Sequence, residues 1–125
     1  MISWQIQIDG HDPEGWDQRR DGCWFPDFDH QEYLLPYFDV GDTPIDPYGG
    51  TGFSAADMQR LRVHLRCLSG YIEAMPERWT LTESAAGESR TLNLERAAIE
   101  IVIDKILEKL DFALERKGTL WFGGD

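Results

Sequence analysis

Two short clusters near the start of the chain set carboxylates beside imidazoles: Asp9-Gly10-His11-Asp12 and Asp27-Phe28-Asp29-His30. Oxygen and nitrogen donors of this kind can hold a divalent cation, and a small metal-dependent hydrolase is the enzyme that could be built on them. The spacing argues against it. Neither cluster repeats its ligands at i and i+4 of a helical pattern, and no Asp-x-Asp-x-Asp-Gly calcium loop occurs. Nine aspartates fall between residues 9 and 53, so pairs two positions apart arise from composition alone. These acids read as solvated loop carboxylates, and no metal or other cofactor is expected.

The candidate nucleophiles are Ser54, Cys23 and Cys67, with three histidines as candidate bases. No Gly-x-Ser-x-Gly elbow is present, and Ser54 has a sufficient structural task as a helix cap. Cys67 stands immediately before a core position, Leu68, and reads as packed, while His64 reads as a flank residue of the same helix. The two cysteines fit no metal spacing, and both read as free thiols. Without a convergent constellation, catalysis is not expected. Gly49-Gly50-Thr51-Gly52 precedes that helix, where backbone N–H groups could cradle phosphate. The lysine of a phosphate loop is missing and the surroundings are anionic, so the glycines read as a turn that delivers the chain to the cap.

The strongest signal is an acidic, aromatic segment. Residues 9–53 hold nine Asp and two Glu against Arg19 and Arg20, so this stretch carries −9 of the chain's net −11. It also holds nine of the fifteen aromatic residues, with five prolines and seven glycines, a composition that reads as ordered but irregular. Such a charge repels phosphate, so nucleic acid is excluded as a partner, whereas a basic protein surface would be attracted and steered. Aromatic anchors ringed by carboxylates suit that role. The partner-binding candidates are Asp27, Asp29, Asp39, Asp42 and Asp46, with Trp16, Trp24, Tyr37 and Tyr48. Some of the rings must pack internally, because nine exposed ones would form a large adhesive patch.

The elements around this segment are legible from periodicity. Met1 to Ile8 alternates, with Ile2, Trp4, Ile6 and Ile8 on one side, and predicts a half-buried strand ended by Asp9-Gly10. Ser54 and Asp57 form a capping box, with Phe53 and Met58 as a hydrophobic staple. Met58, Leu61, Leu65, Leu68, Ile72 and Met75 then make one helical stripe before Pro76, flanked by Arg60, Arg62 and Arg66. Residues 79–83 and 90–94 alternate about a polar linker, predicting a hairpin with a loop of about six residues. Residues 95–117 predict a second long helix packed on more than one face, with Ile101 and Phe112 widening its apolar surface and Gly118 as its left-handed cap. Thr119 to Phe122 predicts a last strand beside the first. At 125 residues and 42% hydrophobic content, the expectation is a single α+β domain with a small, mostly antiparallel sheet of about four strands against two long helices. No apolar run of membrane-spanning length occurs, and residues 1–8 have neither the basic nor the apolar region of a secretory leader, so a cytoplasmic protein is expected.

In its acidic, aromatic segment from Asp9 to Tyr48 and in its size, the sequence resembles the small acidic immunity proteins with which bacteria neutralise antibacterial toxins. The resemblance implies a non-catalytic inhibitor that covers a toxin's basic site with an acidic surface. It carries over no individual residue. The alternative among binding proteins is a homodimer or a subunit of a larger assembly, using the arginine flank or the apolar excess of the second helix.

Overall fold

A computed structural model describes residues 1–124, apart from the side chains of Gln18, Arg19 and Ala85. Strand β1 (Ser3–Gln7) buries Trp4 and Ile6 and turns back through Asp9 and Gly10, both at positive φ. A short helix α1 (Gln18–Asp21) and strand β2 (Cys23–Trp24) follow, then helix α2 (Phe28–Phe38). Strand β3 (Gly50–Phe53) leads into helix α3 (Ala55–Glu73), strands β4 (Arg78–Ala85) and β5 (Glu88–Glu95) form a hairpin, and helix α4 (Arg96–Glu115) precedes strand β6 (Thr119–Gly123). The fold is α+β: a four-stranded antiparallel sheet ordered β2-β1-β6-β3, and a separate two-stranded sheet, β4-β5.

The predicted pairing of first and last strands is present, with Trp4 opposite Phe122 and Ile6 opposite Leu120. The capping box of α3 is complete: Ser54 Oγ accepts from the Asp57 N–H at 3.2 Å, and the Asp57 carboxylate accepts from the Ser54 N–H at 3.0 Å. Met58, Leu61, Leu65, Leu68 and Ile72 are all buried, and α3 packs on α4 through this stripe.

Five expectations need correction. The segment after β1 is not an irregular span but contains α1, β2, α2 and β3, so the two expected long helices, α3 and α4, are accompanied by a third, α2, of 11 residues. The hairpin turn is two residues, Ala86 and Gly87, both at positive φ, and the ladder extends through Ser84–Ser89 and Ala85–Glu88. A two-residue turn of this hand matches the strand twist, which a six-residue loop does not require. Gly50 and Gly52 contribute to an edge strand, not a turn: the Trp121 indole lies over both, and a β-carbon would collide with it at Gly50 and crowd it at Gly52. At the end of α4, Lys117 takes the left-handed conformation, and the Gly118 N–H closes the motif on the Ala113 carbonyl at 2.7 Å. Gly118 is needed because a β-carbon there would stand 2.8 Å from the Gln7 carbonyl oxygen. Ile101 is 66% exposed and does not widen the packed face of α4.

The core is one contiguous cluster whose centre is aromatic. Trp4 meets Phe25 edge to face at 4.9 Å, Phe53 meets Phe122 in the same way at 4.9 Å, and Phe38 bridges Phe25 and Phe122. Phe25, Phe38 and Phe53 all come from the acidic segment, which is therefore a structural layer of the molecule. Gln31 fastens it further by accepting the Ile2 N–H at 2.9 Å.

Candidate functional site

The acidic segment sorts its nine aromatic rings into three groups. Phe25, Phe38 and Phe53 are in the core, Trp16, Tyr33 and Tyr37 are half-buried, and Trp24, Phe28 and Tyr48 are exposed. Trp24 and Phe28, at 45% and 63% exposure, flank the fully anchored Phe25 on the short connection between β2 and α2. Asp27 lies between them as the N-cap of α2, its carboxylate accepting from the His30 N–H at 2.9 Å. Burial pushes the Asp27 carboxyl up, but the hydrogen bonds from the His30 backbone and ring together outweigh it and hold the group below the ordinary aspartate range.

His30 is buried and fully used. Nδ1 lies 2.7 Å from Asp27 Oδ1, and Nε2 accepts the Glu95 N–H at 3.0 Å, which assigns the ring proton to Nδ1. This imidazole ties α2 to the start of α4 and is a structural histidine. Asp29 completes the tie by accepting the Asn93 N–H of β5 at 3.0 Å. Neither acid-imidazole cluster gathers a ligand set: among the described residues no group of three or more His, Cys, Asp or Glu side chains could hold a metal.

The remaining candidates lie elsewhere. Asp39, Asp42 and Asp46 sit beyond the other end of α2, roughly 18 Å along the helix from Asp27 by the rise per residue. Asp39 accepts the Ile45 N–H at 3.0 Å and Asp46 accepts the Tyr48 N–H at 2.8 Å, so both shape the connection to β3. Asp42 pairs with Arg60 at 2.9 Å. Arg60 also bonds Asp57 and the Val40 carbonyl, and Arg62 pairs with Asp111, so two of the three flank arginines are engaged internally. Trp16 packs under Lys109, whose ammonium stands 5.2 Å from the ring centre. The fold thus groups Trp24, Asp27, Phe28 and Asp29 at one end of α2, and Asp39, Asp42, Asp46 and Tyr48 at the other.

A second surface was not anticipated. Three stripes converge on an open groove of about 670 Å³: Tyr33 and Tyr37 of α2, Val63, Cys67 and Tyr71 of α3, and Trp79 and Leu81 of β4. His64, Leu68 and Met75 complete its wall. Tyr33 meets Tyr37 at 5.8 Å and Trp79 at 6.1 Å, and its phenol is pushed up to about 12 by burial and by its neighbour Tyr37. Val63 and Tyr71 are 60% and 63% exposed. Cys67 is exposed here, contrary to its expected packing, because it lies on this second stripe and not on the core stripe. The signal was present as i, i+4 pairs on both helices and an i, i+2 pair on the strand, but the core stripe of α3 drew the whole helical assignment.

Comparison of the chain with protein-family models, with curated proteins and with solved structures finds no match in any of the three. Among the described residues, no helix is long and apolar enough to cross a membrane.

Proposed function

We propose that the chain is a non-enzymatic, cytoplasmic protein-binding protein of the immunity type, which neutralises a toxin or other basic protein by covering a basic site with its acidic, aromatic segment. The observation that carries this reading is the Trp24 to Asp29 connection. Two large rings stand out to solvent on either side of a ring buried in the core, with the ionised carboxylate that caps α2 between them. Anchors held in place before binding lose little entropy on association, and carboxylates around them favour a cationic partner.

The test is capture of binding proteins from lysate of the source cell at about 50 and about 300 mM salt, a range over which steering by exposed charge is screened. The retained protein is then titrated against the pure chain, with its own activity as readout. Trp24→Ala combined with Phe28→Ala is expected to weaken the complex about a hundredfold, as loss of two anchors does at other interfaces, while the melting temperature holds. Unchanged affinity in that variant, or a captured protein whose activity the chain does not inhibit, overturns the reading.

A further inference from the structure

The hairpin has one edge covered at its base by α2 and one edge open along its whole length. Asn93 and Glu95 use their N–H groups outside the ladder, on Asp29 and His30 of α2. The Arg96 N–H bonds the Glu77 carbonyl within it, which fixes the alternation. Given the register of Arg78 with Glu95 and Thr80 with Asn93, the backbone groups of Arg78, Thr80, Thr82 and Ser84 therefore point away from β5. Only β5 pairs with β4, and among the described residues nothing bonds these outward N–H and C=O groups. The other free edges, β2 and β3, are short, whereas β4 runs eight residues with no proline, glycine or lysine to blunt it.

This open edge borders the aromatic groove. Trp79 and Leu81 alternate with the edge residues and line the groove wall, so a strand added to β4 would turn every second side chain toward Tyr71, Cys67 and Val63. We propose that β4 and the groove together form a docking site for an extended segment of another protein, apolar at alternate positions and net positive, bound by strand addition. The backbone hydrogen bonds would come from the edge and the selectivity from the groove.

A second copy of this chain fits the site poorly. Two-fold pairing centred on Leu81 sets Glu83 opposite Trp79 of the second copy, centring on Thr82 sets Glu83 opposite Leu81, and centring on Thr80 sets Glu77 opposite Glu83. Each register places a carboxylate against an apolar side chain or a like charge. Two chains of net −11 also repel each other, whereas a cationic segment is drawn in.

The probe is a capped peptide of about nine residues that alternates threonine with leucine or valine and carries a lysine at each end. Two readouts are independent: amide exchange at Thr80 and Thr82, and alkylation of Cys67, which is exposed in the groove while Cys23 is buried. Saturating peptide is expected to slow both at least about tenfold. Thr82→Pro removes an outward donor without touching the ladder, and is expected to weaken peptide binding about tenfold or more. If that variant does not fold, N-methylation of the peptide on its edge-facing amides tests the same bonds. The proposal is overturned if peptide up to about 1 mM changes neither readout, or if it protects Cys67 without slowing exchange at Thr80 and Thr82. It is also overturned if the chain alone is a dimer with these amides already protected.

Discussion

Asp57 is the carboxylate on which the order of the acidic connection depends, and its replacement gives a quantitative test. The side chain is 7% exposed and accepts from the Ser54 N–H at 3.0 Å, the Asp42 N–H at 3.1 Å and the Arg60 guanidinium. Burial pushes its carboxyl up, but the hydrogen bonds from Ser54, Asp42 and Arg60 together prevail, and the group is held below its ordinary value. Asp57→Asn keeps the shape but leaves one oxygen for three donors and turns an amide N–H₂ toward the rest. One unsatisfied buried N–H costs about 1–3 kcal/mol. The ion pair with the partly exposed Arg60 adds at most about 1 kcal/mol. A loss of about 2–3 kcal/mol follows, or roughly 10 °C in melting temperature for a domain of this size. The pH dependence has a definite sign. A depressed carboxyl stabilises the native state fully above the unfolded value of about 3.9 and loses that contribution as pH falls through the lower native value. Urea titrations of both proteins should therefore show a constant gap between about pH 5 and pH 8 that narrows below about pH 4. A gap under about 0.5 kcal/mol at neutral pH, or one that persists undiminished in acid, refutes the account.

Three further outcomes are expected. His30→Ala opens a cavity and strips the Glu95 N–H of its acceptor, so the unfolding free energy from denaturant titration should fall by about 2–4 kcal/mol and exchange of the Glu95 amide should accelerate. Lys117→Gly relieves a non-glycine residue of its left-handed conformation and should stabilise by about 0.5–1 kcal/mol in thermal melts, whereas Gly118→Ala should destabilise, because its β-carbon meets the Gln7 carbonyl. Ala86→Asn places the preferred Asn-Gly pair in the hairpin turn and should raise the melting temperature by a few degrees without affecting the groove.

Much of the scaffold was legible because its signals are local. The alternation of Ile2, Trp4 and Ile6, the Ser54–Asp57 box and the stripe from Met58 to Ile72 each identify one element without reference to any other. Helix α2 was not legible for an equally physical reason. Pro36 sits inside it, Phe28 points to solvent and Leu35 breaks a clean stripe, so the local pattern opposes a helix that tertiary packing of His30, Leu34 and Phe38 enforces. The hairpin turn was misjudged because Ala86 gives no warning of a positive φ. Of the four candidate rings, Trp24 and Tyr48 are exposed and Trp16 and Tyr37 half-buried, because which of nine aromatics would be buried depended on contacts across the sheet that spacing does not encode. The groove was missed because it belongs to three elements at once, each contributing only two or three residues.

The placement of α2 also decides how the acidic segment can be tested. Asp27, Asp29, Asp39 and Asp46 each accept a backbone N–H, so neutralising the segment's acids together would remove a helix cap, a tie to β5 and two turn acceptors along with the charge. A slower association rate in such a variant would not separate steering from local unfolding. Trp24 and Phe28 carry no such burden, because Phe25 anchors their connection independently, and the Asp42 carboxylate pairs with Arg60, which retains Asp57 and the Val40 carbonyl, while the Asp42 N–H keeps its bond to Asp57. Asp42→Asn therefore isolates the electrostatic contribution and the two ring deletions isolate the anchors. The same helix covers the base of the β5 edge and leaves β4 open, so the groove's availability depends on the cap at Asp27. A variant that loosens α2 should consequently weaken strand addition at β4 and anchoring at Phe28, the first residue of α2, together, while Thr82→Pro should remove only the first.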